Sequence, residues 1–397
     1  MMLLPQNKKI VFQGERSGPN RAGRCIVKSQ KIHFDGIEFD IRMTSDNQLV
    51  IHHDRSVSID SSRLQGKSEW VESWTLEDLE SEGFLSFRAM LEDPIIRSNW
   101  VEKGKMGCVE IKRPHPTAPM GGGYFSRKKH NNHITDIIKM ADEILDEFEV
   151  PNQNMVYYAF HKDMGQSAKI AKSTRPWAAL IPYISPYGNR TTQRIQSFPR
   201  YLTTSFSTLV KQHNKMGSSM LPCAIEYFIP PHNKLPIGKT MGLHGKKLHN
   251  MNHIRKGMAT YVWPAKPIHE KSILNAGLTG LTDKANPQFT WLPTGDARWV
   301  NPAIQPLDNQ QQILLNSATE ENHLEILKQL KQEVPIWSEC DNTRRVELIS
   351  MWKKSWNWQK SIDEILQSSS ESSPPWQASR LIGHRGSGKT SRPVISE

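Results

Sequence analysis

Short β-branched or aromatic runs alternate with longer stretches of helical period along most of the chain. KIVFQGE, DGIEFDIRM, QLVIHH, GCVEIK, NMVYYAF, WAALIPYI, YLTTSF, PCAIEYFI, GMATYVW and GLTGLTD read as strands. Between several of them, Ile134–Phe148, Met164–Ser173, His244–Lys256 and Ile268–Ala276 repeat apolar residues at helical spacing. Strands alternating with helices predict parallel βαβ units, and about eight such units over some 280 residues fit a closed (β/α)8 barrel. An open doubly wound sheet is the alternative, but no G-x-G-x-x-G follows the first strand. After about Asn286 the pattern changes. Residues 287–311 look irregular, 318–333 and 343–367 read as helices, and SSSESSPP at 368–375 has the composition of a linker. From Arg380 a strand-like LIG begins afresh.

Composition narrows the partners. The chain has 397 residues and a formal net charge of +11. Its longest apolar runs fall well short of the roughly 20 residues of a membrane span, so no transmembrane segment is expected. The start MMLLPQNKKIVF lacks a signal-peptide layout. Cys25, Cys108, Cys223 and Cys340 are scattered, with no C-x-x-C pair, and a reducing, cytoplasmic location is expected. The positive balance favours anionic partners: phosphate esters, nucleic acid or an anionic membrane surface. No RNP, zinc-finger or homeodomain pattern supports nucleic acid, and no nucleic-acid partner is expected. Arg127-Lys128-Lys129 and Lys246-Lys247 read as solvated surface. Gly383, Gly388, Lys389 and Thr390 fit the phosphate-loop pattern, but Pro393 follows closely and leaves no room for the helix such a loop needs.

The stretch DGIEFDIRMTSDNQLVIHHD, 35–54, carries candidate chemistry. Glu38 and Asp40 alternate on one strand and share a face. Two neighbouring carboxylates repel, and a hard cation relieves that by taking oxygen ligands. A turn at Thr44–Asn47 leads to a second strand ending in His52-His53-Asp54. An imidazole beside an acidic metal site is suited to general acid or base work near neutral pH. By alternation His52 points away from His53, toward packing. Farther on, VEIKRP sets Glu110 and Lys112 on one face of another strand, the first a third carboxylate and the second a cation for an anionic substrate.

The series E-F-D, I-H-H-D and V-E-I-K-R-P resembles the glycerophosphodiester phosphodiesterase (GP-PDE) family. WTLEDLESEGFLSFRAML, 74–91, is similar to the family's helix-forming stretch, and 256–287 to its closing Val-Trp strand, helix and G-x-x-G-x-x-T-D strand. The resemblance implies a TIM barrel of the PLC-like phosphodiesterase type over residues 8–287, with its active site at the carboxyl ends of the strands. It implies metal-assisted hydrolysis of a small-molecule glycerophosphodiester to glycerol phosphate and an alcohol, with Ca or Mg as the divalent metal. Glu38, Asp40 and Glu110 match the family's metal ligands, His53 one of its two catalytic histidines, Lys112 a basic residue near the phosphate, and Trp263 a site-lining aromatic. For Trp263, packing inside the barrel is an equal alternative. The attacking group, water or a neighbouring substrate hydroxyl, stays open, as does the oligomeric state.

The family's first strand ends in H-R-G. Here it gives QGERSGPNRAG: Arg16 is retained to hold phosphate, Glu15 stands in the histidine's place, and Asn20 replaces the following glutamate. A glutamate with an unperturbed pKa of about 4.3 is a poor acid near neutral pH unless its surroundings raise it. The alternative function is therefore a catalytically impaired barrel that binds anionic ligands or acts as a regulatory module. IGHRGSGKT…ISE, 382–397, is itself similar to the family's opening. The expected organisation is a barrel at 8–287, an irregular then helical extension at 288–367, a Ser/Pro linker at 368–380, and the start of a truncated second barrel at 381–397. Two other readings stand beside it: the 381–397 strand docks on the first barrel and delivers His384 and Arg385, or it is a tail without a role.

Overall fold

The computed structural model describes residues 35–282 except 58–63, 65, 103, 121–126, 183–189 and 230–240. It also describes residues 308–383 except 320, 334–336, 357–359, 368–375 and 377. Among the described residues, ten strands form one sheet: β1 Gly36–Met43, β2 Leu49–Ile51, β3 Leu85–Ser86, β4 Met106–Ile111, β5 Met155–Ala159, β6 Trp177–Ala179, β7 Leu221–Ala224, β8 Thr260–Ala265, β9 Thr279–Thr282 and β10 Leu381–Gly383. Eight of them run in the order β6-β5-β4-β1-β10-β9-β8-β7, each paired parallel to its neighbour. The Ser219 amide donates to the Trp177 carbonyl at 2.8 Å, joining the two ends of that path. The result is a nearly closed parallel barrel. β2 and β3 lie off it as antiparallel additions beside β1.

The barrel follows from alternation. Ile37, Phe39 and Ile41 of β1 join Val109 and Ile111 of β4 in an outer core against the helix Arg127–Glu147. The opposite faces fill the interior with Met106, Cys108, Val156, Tyr158, Tyr261, Leu281 and Ile382. At the base, β1 and β4 approach so closely that a Cβ on Gly36 would sit 2.2 Å from the Met106 carbonyl oxygen, so only glycine fits. Helices Met164–Ala171, Gly245–Arg255 and Pro267–Asn275 lie within a residue or two of the expected spans, Arg127–Glu147 starts earlier than expected, and Phe206–Met216 is an additional helix.

One expected strand is a helix. YLTTSF, 201–206, falls at the end of the helix Arg190–Thr203 and at the start of Phe206–Met216. The Ser205 hydroxyl accepts the Thr208 amide at 3.2 Å and caps the second helix, a local signal that outweighs the weak strand preference of Tyr and Thr. The helical extension consists of Asn309–Asn316, His323–Glu333, Asn342–Trp356 and Ile362–Gln367. Trp337, Leu348, Ile349, Trp352 and Ile365 form its own small core, which Ala378 joins. No helix among the described residues is long and apolar enough to cross a membrane.

The slot between β9 and β1 is taken by β10. Residues 381–383, expected at the opening of a further barrel, pair into this one, and Ala378, Ser379 and Arg380 before them are buried. The Leu381 amide donates to Asp35 Oδ2 at 2.8 Å, and the Arg380 amide donates to Thr279 Oγ1 at 3.1 Å. The expected first strand KIVFQGE lies outside the described residues, as does everything after Gly383.

Candidate active site

Every barrel strand points its carboxyl end toward the same mouth. In the parallel register of β1 and β4, Asp40 pairs with Glu110 and Glu38 with Cys108. That register, with alternation, gathers the three acids expected from the sequence. One oxygen each from Glu38, Asp40 and Glu110 lies within 4.8 Å of the others, and all three side chains are buried. Lys112, one turn of alternation beyond Glu110, sets its ammonium 2.8 Å from Asp40 Oδ1 and also bonds Glu110 Oε1. Among the described residues, three buried carboxylates face one ammonium. The donor set is all oxygen, which suits a hard divalent cation.

Two further groups line the acids. Tyr158 on β5 is the register partner of Glu110 and is buried. Burial pushes its phenol well above the ordinary range, and the negative charge of Glu38 pushes the same way. It therefore stays a neutral O–H donor, and its hydroxyl has no hydrogen-bond partner among the described residues. Cys108 between the acids is held protonated by burial first and Glu38 second, so it is no thiolate ligand.

His53 sits at the rim, half-exposed, its Nδ1 2.8 Å from Asp54 Oδ1. The turn that brings it there is built locally: the Gln48 amide donates to Thr44 Oγ1 at 2.9 Å and Asn47 takes a left-handed φ of 57°, which asparagine tolerates. His52 packs away as expected. Its ring lies 5.0 Å from that of Phe84, its Nε2 is 2.9 Å from the Ser56 carbonyl oxygen, and burial lowers its pKa to about 4, so it is neutral. Trp263, on β8, is half-buried and packs against the interior cluster, on the other side of the barrel from β1 and β4 in strand order. Glu15, Arg16, Asn20, His384 and Arg385 lie outside the described residues.

Arg42 and Tyr158 were not singled out by the sequence reading. Arg42 continues the period-two series Glu38, Asp40, Arg42, and Tyr158 is the inward residue of a strand adjacent to Glu110. Those parities were the available signals. Arg42 ties the mouth loops together. It donates to Glu72 Oε1 at 2.8 Å, to the His53 carbonyl at 3.1 Å and to the Arg113 carbonyl at 3.1 Å. Burial raises the Glu72 carboxyl and the Arg42 charge opposes it. Arg42→Met is expected to cost roughly 3–5 kcal/mol of stability by orphaning Glu72, while Arg42→Met with Glu72→Met recovers most of it. Thermal melts of wild type and both variants check this. Equal melting points for the single and double variants would show that the pair is uncoupled.

A parallel barrel with an acidic, cation-suited mouth is the class that fold and site define. Within it, residues 26–192, less than half of the chain, match the model of the Glycerophosphoryl diester phosphodiesterase family, and the resemblance read from the motifs holds over that span. None of the curated proteins matches the chain. Among solved structures, the glycerophosphodiester phosphodiesterase of Thermotoga maritima is 17% identical, with 66% of this chain and 88% of that chain covered and a TM-score of 0.39. That of Parabacteroides distasonis is 16% identical, with 68% and 87% covered and a TM-score of 0.41. An Oleispira antarctica phosphodiesterase in complex with the product sn-glycerol-3-phosphate is 12% identical, with 68% and 90% covered and a TM-score of 0.40. At such scores the likeness adds nothing to what the strand pairing already shows.

Proposed function

We propose that the protein is a metal-assisted phosphodiesterase that hydrolyses glycerophosphodiesters to glycerol phosphate and an alcohol. The observation that carries the reading is the buried Glu38, Asp40 and Glu110 cluster at the mouth of a barrel whose residues 26–192 match the family. Glu38, Asp40 and Glu110 would hold Ca or Mg. When bound, the cation supplies positive charge against the phosphate and lowers the pKa of an attacking hydroxyl. Lys112 adds a second positive charge at the same place, and Arg16 and Trp263 are the further substrate contacts. In the reaction a P–O bond forms to the attacking oxygen and the P–O bond to the leaving alcohol breaks. One proton leaves the attacking oxygen and one must reach the leaving oxygen. His53 is one carrier.

The second carrier is His384 rather than Glu15. What supports this is the register Gly36 with Ile382 and Ile37 with Gly383. That pairing brings the described end of β10, Gly383, beside Ile37, the residue before Glu38. The test is release of glycerol phosphate from a panel of glycerophosphodiesters with Ca or Mg, and its loss in chelator. The expected result is metal-dependent turnover. Binding of metal and phosphate esters without turnover on any diester would sink the enzymatic reading and favour the impaired, ligand-binding barrel.

A further inference from the structure

Charge is divided between two halves of the barrel. Residues 35–163 carry 23 Asp and Glu against 15 Lys and Arg, whereas residues 164–282 carry two against 16. The second half alone exceeds the net charge of the whole chain. Of its two acids, Glu270 is buried and accepts a bond from Thr282 at 2.6 Å, and Glu226 is half-buried. β6, β7, β8 and β9 are consecutive neighbours around the barrel, so the helices that follow them share one wall. That wall displays Arg200, Lys211, Lys215, Lys246, Lys247, Lys256 and Lys266 as exposed residues.

Large apolar side chains are exposed on the same set of helices. Ile195 is 68% exposed and Phe198 39% exposed, one turn apart on the helix Arg190–Thr203, which contains three arginines and no acid. Ile268 is 49% exposed two residues from Lys266. A helix with exposed large apolar residues and arginines as its only charges is the kind that lies in a bilayer interface, with the cations on anionic headgroups.

We propose that the wall formed by the helices after β6, β7 and β8 docks on an anionic lipid bilayer, with Ile195 and Phe198 entering the headgroup layer. The proposal does not depend on the catalytic reading. Nucleic acid would also attract the cations, but would gain little from the isoleucines.

The test is co-sedimentation of the full chain with vesicles of phosphatidylcholine and phosphatidylserine, against vesicles of phosphatidylcholine alone, at low and high salt. Binding is expected only to the anionic vesicles, weakening as salt screens the charges. Lys246→Glu with Lys247→Glu should weaken it by more than ~20-fold, since each cation near an anionic surface is worth about fivefold. Ile195→Ser with Phe198→Ser should weaken it by about tenfold. Both variants change exposed residues, and an unchanged thermal melt verifies their fold. The proposal is overturned by any one of three results: no binding to anionic vesicles at low salt, binding that the Ile195 and Phe198 changes leave untouched, or capture of duplex DNA or single-stranded RNA in preference to the vesicles.

Discussion

Glu38→Gln is expected to lower glycerophosphodiester turnover by roughly 10²–10³-fold, the scale of removing one preorganised electrostatic group from an active site. In chelator the same change is expected to raise the melting temperature. Both effects have one origin. Glu38, Asp40 and Glu110 bring three carboxylate oxygens within 4.8 Å of one another inside the protein, with Lys112 salt-bridged to Asp40 and Glu110. Without a cation the cluster repels itself, and turning one carboxylate into an isosteric amide relieves that strain by about 1–2 kcal/mol. With a cation the same change removes a charged ligand and weakens the hold on metal. A residue kept only for packing would show neither the gain in chelator nor the dependence on metal. Loss of activity with an unchanged melt in chelator and an unchanged metal affinity would remove Glu38 from the ligand set.

Much of this site is legible in the sequence because strand alternation is strict. Glu38 and Asp40 had to share a face, Glu110 and Lys112 another, and the parallel pairing of β1 with β4 merges the two faces. His52 and His53 had to diverge, and do. What alternation leaves undecided is which segment fills a given strand slot. KIVFQGE near the amino end and LIGHRG near the carboxyl end are both short apolar runs leading into a polar, glycine-containing turn. For Leu381–Gly383 the place is set by contacts made across the whole chain. Asp35 Oδ2 takes the Leu381 amide from 346 residues away, and Thr279 Oγ1 takes the Arg380 amide from 101 residues away. Arg380 itself is buried, and the negative charge of Asp35 favours its charged form. Such pairings are invisible to local pattern. The same limit hid Arg42, whose partners Glu72, His53 and Arg113 come from three separate segments.

The largest effect on stability is expected from a short cut at the carboxyl end, and two cuts separate structure from chemistry. A chain ending at Gln377 loses Leu381 and Ile382, each worth roughly 1.5–3 kcal/mol of burial. It also leaves Asp35 and Thr279 buried without the amides they now accept, at about 1–3 kcal/mol each. The edges of β1 and β9 fall open as well. The sum is on the order of the 5–15 kcal/mol that holds a typical domain folded. This shorter chain is expected to melt far below the full one or to remain unfolded, as read by circular dichroism. A chain ending at Gly383 keeps all of those contacts and removes His384. Its melting temperature should stay within a few degrees of the full chain, while turnover falls by roughly 10²–10⁴-fold, the contribution of a positioned proton carrier. His384→Ala in the full chain should reproduce that loss. Full activity in the chain ending at Gly383 would strip His384 of its role and return proton transfer to Glu15. A stable barrel without residues 378–397 would mean that another segment, KIVFQGE foremost, can take the slot that β10 fills.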